Sequence, residues 1–408
     1  MTPVIALIFG MGLAASTATQ LRLAGPFGPG EGMLIVWLLL LLFRQLLYQG
    51  VFSGSAWLSA RVSKIWILIL GSVAAGIIVA QSLGLSSDGG GVRDLAALFF
   101  VAALSVALSG VSSTRETWQR LVDAYLVIIT ICLAGLLAIA LARVAVVVDP
   151  WFQAIRFRGW SENPNQMALM LAPLPFLILW AYQRTASKAR KSWLAFSLAV
   201  SLIAGVLCLS EALYLAWGAS LGLCSLLAGI AYVREPTFSP IVAIWKKITF
   251  PTILLAGVAA LVIPLALRGA EIVAAIYEAG NQGETRLLIW GHGLEAAARS
   301  PIVGLGPGAF SGLSGPFQNY EAHNTFIDIL TQAGVFGAAA YVLLLIVAGK
   351  RFLATRDLAF IGGFTALVGF SCFHYVLRHP TFWLTIILML RLTSLGASKE
   401  ERQTEQLA

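Results

Sequence analysis

The sequence predicts an all-α polytopic membrane protein with about 12 transmembrane helices. Three observations predict it. The 408 residues are 59% hydrophobic and only 11% charged, whereas a soluble chain carries roughly 25% charged residues. Apolar runs recur along the whole chain, each close to the roughly 20 residues that a helical bilayer span needs. The short alternating segments of a membrane β-barrel are missing.

The runs fall near 3–20, 31–48, 64–83, 93–112, 118–142, 166–183, 192–209, 211–232, 249–268, 325–348, 358–374 and 380–396. The first has no basic stretch before it, so it is expected to be a retained span and not a cleaved signal. Cys132, Cys208, Cys224 and Cys372 sit inside apolar runs without paired spacing; they read as small core hydrophobes, with no disulfide framework and no metal site. The chain therefore divides into nine spans over 1–268 (with an outer loop at 143–165), a polar loop over 269–324, three spans over 325–396 and a tail at 397–408.

The net charge of +8 reads as a topology signal and not as affinity for nucleic acid, because cations collect in cytoplasmic loops. One alternating set of turns holds 18 of the 27 cations, including all seven lysines. That side is expected to be cytoplasmic, with both termini on it. Every cation on the other side is arginine, whose planar fork grips phosphate or carboxylate at two points where lysine is a point charge.

Two outer segments are too long to be simple turns. In "RFRGWSENPNQMAL" (156–169), Asn163 and Pro164 have the chemistry of a helix start. Arg156 and Arg158 just before them suit an anion at that helix N-terminus. Asn165 accompanies them. In the 269–324 loop, Leu287, Leu288, Ile289, Trp290 and Leu294 recur at helical spacing and predict an amphipathic helix on the outer surface near 284–299. Arg286 lies on its first turn, whereas His292 reads as an ordinary surface residue. "GLGPGAF" (304–310) lacks the strand and helix of a nucleotide-binding loop and reads as a tight turn. In "EAHNTFIDIL" (321–330), His323 is a group able to take a proton near neutral pH. Asn324 fits a helix N-cap, and Asp328 falls off the helical face of His323. Arg378 and His379 belong to the turn before the last span, where an arginine is expensive without an anionic partner. Glu211 lies near an outer turn.

"ETRLLIW", "SPIVGLGPGAF" and "HNTFIDILTQAGVFG", with "RFRGWSENPNQMA" and "LRHPTFW", resemble the O-antigen ligase/O-antigen polymerase superfamily of bacterial surface-glycan assembly. The resemblance is most specific over 284–337. It implies a GT-C-like fold and an inverting, metal-independent glycosyltransferase without cofactor, in the bacterial inner membrane. Its donor would be a glycan on undecaprenyl diphosphate and its acceptor a hydroxyl of a glycan or lipid core, at the periplasmic face. By the resemblance, His323 is the catalytic base; Arg286 and Arg158 bind the diphosphate, with Arg378 and Arg156 as further donor-binding arginines; Asn324, Asn165 and Glu211 support them. Where the family often carries Ser-Arg-Gly, this chain reads Ser210-Glu211-Ala212. The alternative from another class is a polytopic transporter or flippase for lipid-linked glycan.

Overall fold

The computed structural model describes residues 2–22, 27–48, 50–52, 56–85, 90–112, 114–144, 147–234, 282–311 and 320–394. The span expected at 249–268, part of the loop expected at 269–324 and the tail at 397–408 lie outside them. Among the described residues the helices are α1 (Pro3–Ala15), α2 (Pro29–Tyr48), α3 (Ala56–Ser82), α4 (Gly90–Gly110), α5 (Arg115–Ala142), α6 (Pro164–Leu171), α7 (Leu174–Gln183), α8 (Lys188–Leu207), α9 (Glu211–Arg234), α10 (Gln282–Arg299), α11 (Thr325–Thr355), α12 (Leu358–Ser371) and α13 (Pro380–Ser394). Eight are long and apolar enough to cross a membrane, with α6 and α7 counted together; α1, α12 and α13 are shorter apolar helices. The chain is a polytopic membrane protein.

The two ends of α5 show how the bundle sorts its polar ends. At its start, Asp123 pairs with Arg190 near the start of α8. At its other end, the Trp151 indole donates to the Ala140 carbonyl at 3.0 Å. On the first side Arg184 meets Asp357 at 2.6 Å, and Arg391 lies over the Trp118 ring. The cavity described below lies on the other side, the one where the sequence places arginine and no lysine.

Three predicted spans depart from a single straight helix, and each departure has a cause. The first ends at Ala15 and not near residue 20, because Ser16, Thr17 and Thr19 turn their hydroxyls to tertiary partners. Ser16 Oγ and Thr381 Oγ1 are 2.7 Å apart. Ser161 Oγ donates to the Thr17 carbonyl at 2.7 Å, and Thr19 Oγ1 donates to Gln166 Oε1 at 2.7 Å. The sixth span breaks at Ala172–Pro173, where proline has no N–H to continue the ladder; the Trp217 indole donates to the Ala172 carbonyl at 3.1 Å.

The third departure is a break in α11 at Gly334, whose φ of 60° and ψ of −163° are not helical. The stretch 301–306 lies against this break and satisfies its backbone. The N–H groups of Leu305 and Gly306 donate to the Thr331 and Gln332 carbonyls at 2.7 and 3.0 Å; those of Val335 and Phe336 donate to Pro301 and Ile302 at 2.8 and 3.3 Å. A Cβ on Gly334 would lie 2.4 Å from the Ile302 carbonyl carbon, and one on Gly304 would lie 2.4 Å from that of Gln332. "GLGPGAF" is thus more than the tight turn its composition suggests: its glycines let one backbone replace the missing rungs of another.

Candidate active site

His323 precedes α11 with φ 52°, in the left-handed region, which costs a non-glycine residue roughly 1–2 kcal/mol. The surrounding hydrogen bonds hold it there. Asn324 caps the helix, its Oδ1 accepting from the Phe326 and Ile327 N–H groups at 3.0 and 3.4 Å. Asp328 accepts from the Ala322 N–H at 2.7 Å and the Asn324 N–H at 3.2 Å. These are the backbone groups on either side of His323. Asp328, 2% exposed, therefore orients the histidine through its backbone, a route that comparing side-chain faces misses. The signal for it was an acid four residues after an N-cap, close to capping-box spacing.

The turn between α12 and α13 is tied to the same place. Thr325 Oγ1 donates to the His374 carbonyl at 2.6 Å and accepts from the Val376 N–H at 3.0 Å. This sets the His374 ring 6.1 Å from the His323 ring, centroid to centroid, and stacks it on Phe370 at 4.8 Å. From the same turn, Arg378 pairs with Asp94 at 2.8 Å and with Glu321 at 2.6 Å. The Tyr375 hydroxyl donates to Gln332 Oε1 at 2.7 Å.

The 149–166 stretch brings the third wall. Trp151–Phe152 and Arg156–Phe157 form a small antiparallel hairpin, turned through Gln153 and Ala154 at positive φ. Although Arg156 and Arg158 are only two residues apart, they go to different partners. Arg158 binds Asp149 through its side chain at 2.9 Å and its carbonyl at 3.0 Å, and the Glu162 carbonyl at 3.2 Å. Arg156 donates to the Cys208 carbonyl at 3.2 Å and to Asn165 Oδ1 at 3.3 Å. The Ser210 hydroxyl donates to the same Asn165 oxygen at 2.9 Å.

These walls enclose a cavity of about 520 Å³, whose lining includes Asn165, Arg286, Glu321, His323, His374 and Arg378. Of the residues singled out from sequence, His323, Arg286, Arg378 and Asn165 thus share one space. Arg156 stands behind Asn165. Arg158 does not line the cavity and is bound to Asp149. Asn324 supports from its cap position, and Glu211, exposed, starts α9. The amphipathic helix predicted near 284–299 is α10, which presents Arg286 to the cavity. Glu321, Asp94, Asp328 and His374 are the participants that sequence reasoning missed.

The charges divide sharply. Arg378 faces two carboxylates. Among the described residues, Arg286 makes no ion pair and Arg156 bonds only neutral acceptors. Burial, then Arg286 and Arg378, hold the His323 imidazole below its usual 6.5. His374 is held further down by burial, His323, Arg286 and Arg156. Burial raises Glu321 despite Arg378. The result is a neutral imidazole pair beside two guanidiniums that make no ion pair among the described residues, with Glu211 acting on Arg156 only from a distance; such a set can accept a proton and hold an anion.

Residues 161–342 match the Wzy_C family model, described as O-antigen ligase. No curated protein matches the chain.

Proposed function

We propose that this member of the O-antigen ligase/polymerase superfamily transfers a glycan from undecaprenyl diphosphate to a hydroxyl of an acceptor glycan. The reaction would take place at the periplasmic face of the bacterial inner membrane, with both chain termini cytoplasmic. The observation that carries this reading is the neutral His323 imidazole in one cavity with Arg286, close to Arg156, where neither arginine makes an ion pair among the described residues.

A glycosyl diphosphate is already activated, so chemistry outside the cytoplasm needs no nucleotide. Its leaving group is a stable anion that requires no general acid. It requires fixed positive charge where negative charge grows, and preorganised donors in a water-poor site supply this most effectively. In the proposed step His323 takes the acceptor hydroxyl proton. The acceptor oxygen bonds to the anomeric carbon as the bond from that carbon to the phosphate oxygen breaks, and the electron pair leaves with the diphosphate. One displacement inverts the anomeric centre. No metal ion is required, because Arg156 and Arg286 hold the leaving charge.

Arg156 takes the role first assigned to Arg158. It reaches Ser210 through Asn165 and the loop at Cys208, and so brings a guanidinium to the place where this chain reads Ser210-Glu211-Ala212. Arg378, satisfied by Glu321 and Asp94, positions the 320–325 turn and binds no phosphate.

The test is to incubate purified protein with undecaprenyl-diphosphate glycan and acceptor. A new glycosidic product together with released undecaprenyl diphosphate is expected. Movement of the donor across vesicle membranes without a new bond would select the flippase instead. A product ladder would mark a polymerase, and a single transfer onto a lipid core a ligase.

A further inference from the structure

A second, smaller cavity of about 70 Å³ adjoins the first and shares Gln166, Arg378 and His379 with it. Its remaining walls include Arg22, Phe27, Glu31, Arg93, Asp94 and Phe100. None of these six belongs to the segment that matches the family, 161–342.

The two chambers meet at Gln166, Arg378 and His379, while His323, His374 and Arg286 line only the larger one. His374 feels Arg286 and Arg156, and His323 feels Arg286 and Arg378. His379 is pushed down to about 3, first by burial and then by Arg378 and Arg22.

The chemistry of the two chambers differs. In the smaller one Arg22 meets Glu31 at 3.3 Å and Arg378 meets Asp94 at 2.8 Å, so two of its three guanidiniums are matched by acids. Paired carboxylates and guanidiniums still offer acceptors and donors in close alternation. Arg22 Nε is shielded from solvent and has no hydrogen-bond partner among the described residues. Phe27 and Phe100 meet edge-on at 5.9 Å, and Phe27 is 43% exposed. A neutral polyol matches this set: its hydroxyls take and give hydrogen bonds while its C–H face lies on an aromatic ring. The volume admits a few hydroxyl-sized groups, given that one water needs about 10–15 Å³ of such space.

We propose that this chamber is the acceptor subsite and takes the hydroxyl-bearing edge of a neutral sugar, while the end at Arg286 and Arg156 takes the diphosphate. Resting on the donor reading above, it divides the molecule's work. The family segment supplies His323 and Arg286 for the transfer, and the first 100 residues select the acceptor.

The probe is the lipid-free repeat-unit oligosaccharide of the host's own envelope polysaccharide, titrated calorimetrically into the detergent-purified full chain. Phe27→Ala and Arg93→Gln both alter exposed residues, which keeps the fold intact; thermal melting verifies this. Each is expected to weaken the oligosaccharide Kd at least tenfold, and to raise the acceptor KM equally while the donor KM stays within twofold. Unchanged Kd in both variants, or no binding by the wild type, overturns the subsite. If instead the wild type binds the oligosaccharide but never releases undecaprenyl diphosphate, the donor reading fails and the glycan site stands.

Discussion

At one end of the joined cavities Arg156 and Arg286 make no ion pair among the described residues, whereas at the other Arg378 and Arg22 are each paired with acids. The same residue type thus does two kinds of work. An unmatched guanidinium repels its neighbours, and that repulsion is relieved only when an anion arrives. A matched one fixes the chain around it and offers a ligand little net charge. The contrast teaches that arginine content marks the side of the protein that holds the cavity, and that only the partners of each arginine separate one from another.

The largest effect should follow from removing the proposed base. His323→Ala is expected to lower kcat by about 10²–10⁴-fold, the usual contribution of a positioned base, with a normal melting temperature. A folded variant with full turnover would end its assignment. Next come the unmatched arginines. Arg286→Ala and Arg156→Ala should each cost about 10²–10³-fold in kcat/KM for the donor, the scale of losing one fixed donor to developing charge. Acceptor KM should hardly move, and an equal loss for both substrates would erase the division between the ends.

Arg378→Ala should behave in the opposite sense. It removes the ion-pair partner that Asp94 and Glu321 share, a defect that typically costs about 3–5 kcal/mol of stability. A drop in melting temperature is expected before any specific loss of donor affinity. A normal melting temperature with a weakened donor Kd would place Arg378 among the phosphate ligands after all.

The pH profile tests the same contrast from the side of the base. Burial, Arg286 and Arg378 lower the His323 pKa in the free protein, so the neutral, competent form persists to a pH below the usual 6.5 and activity is lost only as pH falls further. Bound diphosphate offsets Arg286 and should raise that pKa. The acid limb of kcat is therefore expected at higher pH than that of kcat/KM for the donor. Coincident limbs would mean that the donor does not sit beside His323. The smallest effect is expected for Arg158→Gln, which should loosen the 149–162 loop and leave kcat within about threefold, because its partners are Asp149 and the Glu162 carbonyl.

The spans were readable because a bilayer constrains composition and length together. Every predicted span within the described residues is a helix, and the amphipathic helix carrying Arg286 is present as Gln282–Arg299. The Asn163 and Asn324 caps were legible because capping is local chemistry. Three things were not. The end of α1 depends on Ser16, Thr17 and Thr19 finding partners some 145 to 365 residues away. The break at Gly334 depends on the 301–306 backbone lying alongside it. Asp328 had been set aside because the helical wheel compares side-chain directions, whereas its carboxylate holds main-chain N–H groups.

Sequence alone determined that this chain is a bundle of apolar helices, which stretches between them are polar, and which residue types gather there, since these follow from the cost of placing polar groups in hydrocarbon. The tertiary structure decided which arginine meets a carboxylate and which does not. Arg156 and Arg158 have nearly the same neighbours in sequence, yet one stands beside Asn165 and the other is bound to Asp149. Electrostatic role is set by distance in space, and that distance exists only once the walls have been brought together.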